Sequence, residues 1–416
     1  MITLFDCCRI VDDRSDFLGH VAVANGVIVD VIELTESLAA RKPLFAKYLM
    51  TAVRIVRGRG ELLLMPGFVD MHAHFREPGF PEKETLESAS LAAARGGWTT
   101  VVCMANTNPA IDTVERAAEI KRRSDELGLT DLHPALSLTK GMMRKELSDI
   151  AARTKNDCGY MPLLLSEDGN DVADDELFLS ALRCAAALDI PVSCHCDVNG
   201  EAAAIRRAIN LGLKAGCKLH IAHVSTKESV EAIENAKWEH KKFALTAEAT
   251  PHHLALTKDD ALRLGENTFG AVAPPLRSED DRSALLDALD NNTIDAIATD
   301  HAPHTRADKE GGAPGFSGLE TALPVVWDTL IHHDEYSVQR LSYYMSASPA
   351  RILGLKDRGY VRKGMRADIV VVDPKLKTTV KAEDFFSRGK NSPFIGKELQ
   401  GKILMTMANG RIVYSA

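Results

Sequence analysis

No two cysteines stand at CxxC spacing, although the 416-residue chain holds eight. They are scattered, at Cys7, Cys8, Cys103, Cys158, Cys184, Cys194, Cys196 and Cys217. In a chain of this size that scatter argues against a disulfide framework and reads as reduced thiols of a cytoplasmic protein. Also missing is any apolar run near the ~20 residues that a membrane span needs. Positive charge is in deficit: 50 Lys and Arg face 58 Asp and Glu, for a formal net charge of -8. That balance gives no reason to bind nucleic acid or an anionic membrane. The N-terminus, Met1 to Asp13, has no basic stretch followed by a long apolar one, so no secretory leader is expected.

What is present is material for a core. Hydrophobic residues make up 45% and charged residues 26%, near globular averages, and the length suits two domains or one large barrel with an appendage. Short β-rich runs occupy the beginning (His20–Ala24, Val27–Ile32, Glu61–Met65) and the end (Asp368–Asp373, Lys402–Ala408, Arg411–Tyr414). Asn409-Gly410 between the last two is a hairpin signal. These segments, residues 1–65 and 354–416, are expected to pair into one small β-sandwich domain, with a helical excursion over Glu33–Lys47.

The region 66–353 alternates differently. Apolar runs recur at Gly67–His72, Thr99–Met104, His133–Leu138, Met161–Leu165, Ile190–His195, Lys218–His223, Ala244–Glu248 and Ile294–Asp300. Helical patterns lie between them, as at Thr85–Arg95, Thr113–Leu127, Glu176–Leu188, Glu201–Leu213 and Arg282–Leu289. Eight strand-helix units predict a (β/α)8 barrel of the TIM type. The bland alternative, an open doubly wound sheet, is disfavoured because no glycine-rich nucleotide fingerprint follows the first run.

The carboxyl ends of barrel strands meet on one face, and here several end in metal-ligand types. The first ends in His72-Ala-His74, whose alternate side chains point the same way. The fourth ends in Glu167-Asp168-Gly169, the fifth in His195, the sixth in His223 and the eighth in Asp300. Imidazoles and carboxylates suit Zn²⁺ or a similar divalent ion, and six ligands suit two ions with one bridging carboxylate. Alternation turns Cys194 and Cys196 away from the face of His195, so both are read as packing. His252 and His253 are ambiguous between site and turn, His220 is expected on the barrel wall, and His240, His332 and His333 on the surface.

The run His72-Ala-His-Phe-Arg-Glu-Pro-Gly79 resembles the dihydroorotases, metal-dependent amidohydrolases of the cyclic-amide type, in their class I bacterial branch. Further motifs agree in order: Cys103-Met-Ala-Asn-Thr107, Glu167-Asp168-Gly169, His195-Cys-Asp197, His223-Val-Ser-Thr-Lys-Glu-Ser229, Ala247-Glu-Ala-Thr-Pro-His-His-Leu254, Pro274-Pro-Leu-Arg-Ser278, Ile297-Ala-Thr-Asp-His-Ala-Pro-His304, Gly318-Leu-Glu-Thr-Ala322 and Gly389-Lys-Asn-Ser-Pro-Phe394. The resemblance implies two zinc ions per chain. His72, His74 and Asp300 would hold one and His195 and His223 the other, with Asp168 rather than Glu167 as the bridge. The fourth run contains no lysine, which agrees with a carboxylate bridge. The implied reaction is reversible cyclisation of N-carbamoyl-L-aspartate to (S)-dihydroorotate in pyrimidine synthesis. Asp300 would move the proton from the attacking water to the leaving ring nitrogen.

Arg76, two residues past His74, offers a planar fork for the substrate carboxylate. By the resemblance Asn106 and His304 complete that clamp, and backbone groups near Pro314 and Gly315 touch the substrate. An arginine here argues against a hydantoinase or allantoinase, and the intact ligand set against a non-catalytic subunit of an aspartate transcarbamoylase complex. The expected partners are the small-molecule substrate, a second copy in a homodimer and, as an open alternative, aspartate transcarbamoylase. The chain departs from the family pattern twice. Ala273 stands where an asparagine is usual, and the glycine-containing loop Thr305–Ser317 is shortened, reading equally as a lid or a solvated turn.

Overall fold

The computed structural model describes residues 2–34, 42–152, 159–169, 171–196, 200–333 and 336–416. Its centre is a ring of eight parallel strands. Phe68–Ala73, Trp98–Cys103 and Asp131–Pro134 form one sheet. Leu165–Ser166, Val192–Cys194, Leu219–Ile221, Leu245–Ala249 and Ala296–Ile297 form another. Single parallel bridges join them: Leu136 to Leu165 links the third strand to the fourth, and Ala73 to His301 links the eighth back to the first. Closure leaves no open edge, and it brings all eight carboxyl ends to one rim. The expected barrel is therefore what the chain forms. Its strands are buried on both faces, which is why they read as short apolar runs without alternation.

The outer helices begin where side chains can cap them. Thr85 accepts from the Ser88 N–H before Leu86–Arg95, and Asp174 accepts from two N–H groups before Asp175–Leu188. The helix read as Arg282–Leu289 spans Glu279–Asp290, because a Ser278/Asp281 capping box starts it one turn earlier. Their inward faces join the barrel strands in one large hydrophobic cluster.

The two ends of the chain share a single sheet. Its order is Arg411–Ser415, Glu398–Ala408, Ile369–Thr379, Leu63–Pro66, Ile2–Asp12, Ser15–Ala24 and Val27–Glu33, with Arg54–Arg57 paired alongside Ile2–Asp12. The seam between the two ends is the antiparallel pairing of Leu63–Pro66 with Ile369–Thr379, where Met65 faces Val370. The hairpin at Asn409-Gly410 has both residues at positive φ, +48° and +75°. Residues from both ends, among them Phe5, Ile10, Val21, Leu64, Ile369 and Met407, share a second cluster. The opening strand Ile2–Asp12 was not anticipated. Of the expected excursion, a helix is described at Lys42–Thr51, and residues 35–41 lie outside the described residues.

A buried ion network fastens the sheet domain to the amino-end face of the barrel. Asp131 opens the third barrel strand, and its Oδ2 takes Arg358 at 2.7 Å and Arg366 at 2.8 Å. Arg358 also donates to Thr100 Oγ1 at 2.7 Å and is almost fully buried. Burial opposes ionisation of Asp131, but His133 and the two arginines outweigh it and hold its pKa far below the usual range. Its contribution is complete above the unfolded-state pKa near 4 and is lost only as pH falls towards the depressed value. Arg358→Met should therefore cost about 3 kcal/mol at pH 7, because a buried carboxylate loses a partner. Urea denaturation should show that deficit shrinking in strong acid, and a midpoint unchanged at pH 7 would refute the assignment.

Candidate metal centre and active site

The rim collects the ligand types from five strands. His72 lies in the first strand and His74 just beyond it; Asp168, His195, His223 and Asp300 follow the fourth, fifth, sixth and eighth. All six are buried. His74 Nε2 lies 3.2 Å and His72 Nε2 3.5 Å from Asp300 Oδ1. His195 Nε2 lies 3.1 Å, and His72 Nε2 3.8 Å, from Asp168 Oδ1. The His72 ring sits 4.8 Å from that of His195 and 5.3 Å from that of His223. Ligand atoms converge in two groups, His72-His195-His223 and His72-His74-Asp300, each within 4.8 Å. His72 belongs to both, whereas the sequence reading put it in one.

The donor set fits divalent cations. His72 Nε2 and both ring nitrogens of His195 are buried without a hydrogen bond of acceptable geometry, an expensive state unless something electrophilic faces them. Imidazoles and carboxylates in the cluster shift one another's protonation. Burial opposes charge on His72, but Asp300, Asp168 and Glu248 outweigh it and hold its pKa well above the ordinary value. Burial would raise the Asp300 and Asp168 carboxyls, yet the neighbouring imidazoles keep both low. His195 is pushed down to about 3, chiefly by burial. The backbone is bent at two of the candidate ligands. Asp300 (φ +44°) and His223 (φ +32°) hold left-handed conformations, as does Arg76 (φ +59°), a cost paid where geometry matters.

The two neighbouring acids divide sharply. Asp168 faces the imidazoles, whereas Glu167 accepts from the Leu138 and Thr139 N–H groups at 3.0 Å and from the Thr139 hydroxyl. Asn106, expected in the substrate clamp, spends its amide on two candidate ligands: Oδ1 lies 3.0 Å from His74 Nδ1, and Nδ2 donates to Asp168. Arg76 reaches the Pro303 carbonyl at 3.3 Å and lies 3.4 Å from His304 Nε2. His304 Nε2 is 2.9 Å from the Pro314 carbonyl. The Gly315 N–H is taken by Ala271, and its carbonyl accepts from Lys309 and Asn391. A side chain at Gly315 would meet Ala302 and His304, and φ there is +137°. Cys194 and Cys196 pack in the core cluster.

The Thr305–Ser317 segment is fastened rather than loose. Buried Lys309 donates to the carbonyls of Ala271 and Ala313 at 2.8 Å and of Gly315 at 3.0 Å. Asn391, in the Gly389–Phe394 motif, accepts from the His304 N–H and donates to Ala302 and Gly315.

A hidden support is Glu248. Its Oε1 is 2.8 Å from His72 Nδ1, its Oε2 is 3.0 Å from His220 Nε2, and His220 Nδ1 is 2.8 Å from Thr246 Oγ1. This fixes the tautomer of His72 and directs Nε2 to the ligand cluster. Sequence reasoning missed Glu248. The available signal was an acid at a same-face spacing of two from Thr246 inside a largely buried strand.

Comparison with known proteins agrees with this geometry. The sequence model described as "Amidohydrolase family" matches residues 63–413. A Clostridium acetobutylicum protein named dihydroorotase is 40% identical over 384 residues, 85% of this chain and 88% of that protein. The chain belongs to the amidohydrolase family. A Clostridium botulinum protein named dihydroorotase is 35% identical over the full length of both chains. The L-hydantoinase (dihydropyrimidinase) structure from Arthrobacter aurescens matches with a TM-score of 0.85 at 26% identity, covering 99% of this chain and 96% of that one. Amidohydrolases are typically metal-dependent, and this one has His and Asp groups able to hold metal. Among the described residues, no helix is long and apolar enough to cross a membrane.

If Glu248 orients a ligand, Glu248→Gln should lower metal affinity about 10- to 100-fold while leaving the fold intact. Competition with a chelator measures it, and unchanged affinity would remove Glu248 from the site.

Proposed function

We propose that this amidohydrolase is a zinc-dependent dihydroorotase. It interconverts N-carbamoyl-L-aspartate and (S)-dihydroorotate, a step of pyrimidine biosynthesis. The observation that carries this reading is the pairing of two features at one rim. A ligand cluster suited to metal-assisted hydrolysis lies beside Arg76 and His304, a basic corner suited to a carboxylate. Relatives named dihydroorotase, 35–40% identical over most of the chain, support it. The catalytic unit in this reading is residues 66–353.

Two zinc ions would be held by His72, His74 and Asp300, and by His195 and His223, with Asp168 between them. When bound they supply Lewis acidity for the ring carbonyl and acidify water. The protein does the rest. The Arg76 fork pairs with the ring carboxylate and fixes which amide faces the ligand cluster. Burial, and then Arg76, pushes His304 down to about 3, so it stays neutral, and its one N–H would have to turn from the Pro314 carbonyl to the same carboxylate. Asp300, kept ionised by His72 and His74, takes a proton from the attacking water and passes it to the leaving ring nitrogen. Ring closure runs the transfer in reverse.

The test is metal content together with turnover in both directions. Wild type should bind two zinc ions per chain and process both compounds. Asp168→Ala should lose metal and turnover together, and full turnover by that variant would refute the bridging role. Arg76→Met should lose at least about a hundredfold in kcat/KM on dihydroorotate, because a buried charged contact is removed. Activity confined to uncharged rings such as dihydrouracil would overturn the assignment.

A further inference from the structure

Two consecutive histidines follow the seventh barrel strand, and they behave differently. His253 is fully engaged: Nδ1 lies 2.8 Å from Thr250 Oγ1 and Nε2 3.0 Å from the Pro274 carbonyl. His252 is equally buried, at 3% exposure, yet its Nε2 has no hydrogen-bond partner. A structural histidine at that depth would be expected to find one. Its ring is held in place, 4.6 Å from His253 and edge-on to Phe316 at 5.3 Å. The other charged groups that it feels are Asp300, His223 and His72, three members of the candidate metal centre. Phe316 follows Gly315 and bridges to His301, so the His252 ring packs against the loop that carries His304 and Pro314. Nearby, Ala273 offers only a methyl group, and the carbonyl of Pro274 is occupied by His253. Burial and the adjacent His253 keep the His252 ring neutral, leaving one nitrogen to donate and one to accept.

We propose that His252 is a substrate-binding residue whose Nε2 hydrogen-bonds the ureido edge of the ring, the carbonyl and N–H groups that neither Arg76 nor the metal centre contacts. This rests on the dihydroorotase reading for the identity of the ring. It makes His252 a determinant of which cyclic ureides are accepted. Its role is affinity and orientation, with no part in proton transfer.

The experiment compares wild type, His252→Leu and His252→Gln, each loaded with zinc and checked for metal content. The Gln amide can present a polar atom near the position of Nε2. Binding of orotate, a ring acid with the same carboxylate and ureido edge, is measured by calorimetry, and KM and kcat are measured on dihydroorotate. His252→Leu should weaken orotate binding and raise KM about tenfold, the worth of one hydrogen bond, with kcat and metal content little changed. His252→Gln should recover most of the loss. Binding and KM unchanged in His252→Leu, or a loss that falls on kcat and metal instead, would overturn the proposal; so would a Gln variant no better than Leu. Wild type that binds orotate but turns over no dihydroorotate would refute the proposed reaction while still testing His252. Wild type that binds no orotate would refute both.

Discussion

The buried imidazole-carboxylate cluster is the constraint to which the rest of the molecule answers. Four histidines and two aspartates, taken from water and set within a few ångströms of one another, would be costly as isolated groups. They are tolerable because carboxylates and imidazoles interleave: Asp300 sits against His72 and His74, and Asp168 against His72, His74 and His195. The interleaving survives only if five strands end at one height. Ring closure, through the bridges at Leu136–Leu165 and Ala73–His301, sets that height. Asp70 reinforces the second seam from below, accepting from the Thr299 N–H and hydroxyl and from the His72 N–H.

Farther out, the two chain ends support the same rim. Glu84, fully buried beyond the first strand, lies 3.4 Å from His301 and accepts from the Ser387 hydroxyl and the Arg388 N–H. Asn391 ties the 302–315 backbone to the C-terminal segment, and Lys309 ties it to Ala271. The segment after the eighth strand is thus anchored from two directions. That suits a wall that must present His304 at fixed distance from Arg76 better than it suits a cover that swings. At the opposite face, the Asp131–Arg358 network keeps the appended sheet from shifting against the barrel.

Legibility followed the range of the interactions. The eight strands and most helices could be read from the sequence because apolar runs and caps are local. The metal-ligand candidates stood out for a related reason: His72, His195, His223 and Asp300 each close an apolar run, and one topological rule brings such ends together. Glu248, Lys309 and Asn391 were not legible. Each acts on a group 38 to 176 residues away, such as Glu248 on His72 and Lys309 on Ala271, and nothing near it in the chain marks the partner. Asn106 was placed near the site, but its contacts with His74 and Asp168 depend on side-chain reach that spacing does not encode. The strand Ile2–Asp12 was missed because its pairing with Ser15–Ala24 is broken by a bulge at Phe5/Cys8, which disturbs its alternation.

The hydantoinase fold similarity sharpens what selectivity must rest on. A TM-score of 0.85 at 26% identity means that the scaffold alone cannot decide between charged and uncharged rings. The discriminating energy has to come from a few side chains that differ in charge, and a partly buried guanidinium is the strongest such device available. Arg76 is held by the Pro303 carbonyl in a left-handed backbone conformation, so its fork is oriented before any ligand arrives. In the proposed reading an uncharged ring would leave the Arg76 fork without the carboxylate contact that the right ring supplies, a penalty that falls on the wrong substrate rather than a bonus for the right one. In that reading selectivity by one charged side chain needs no change in the barrel, so one architecture could carry both chemistries.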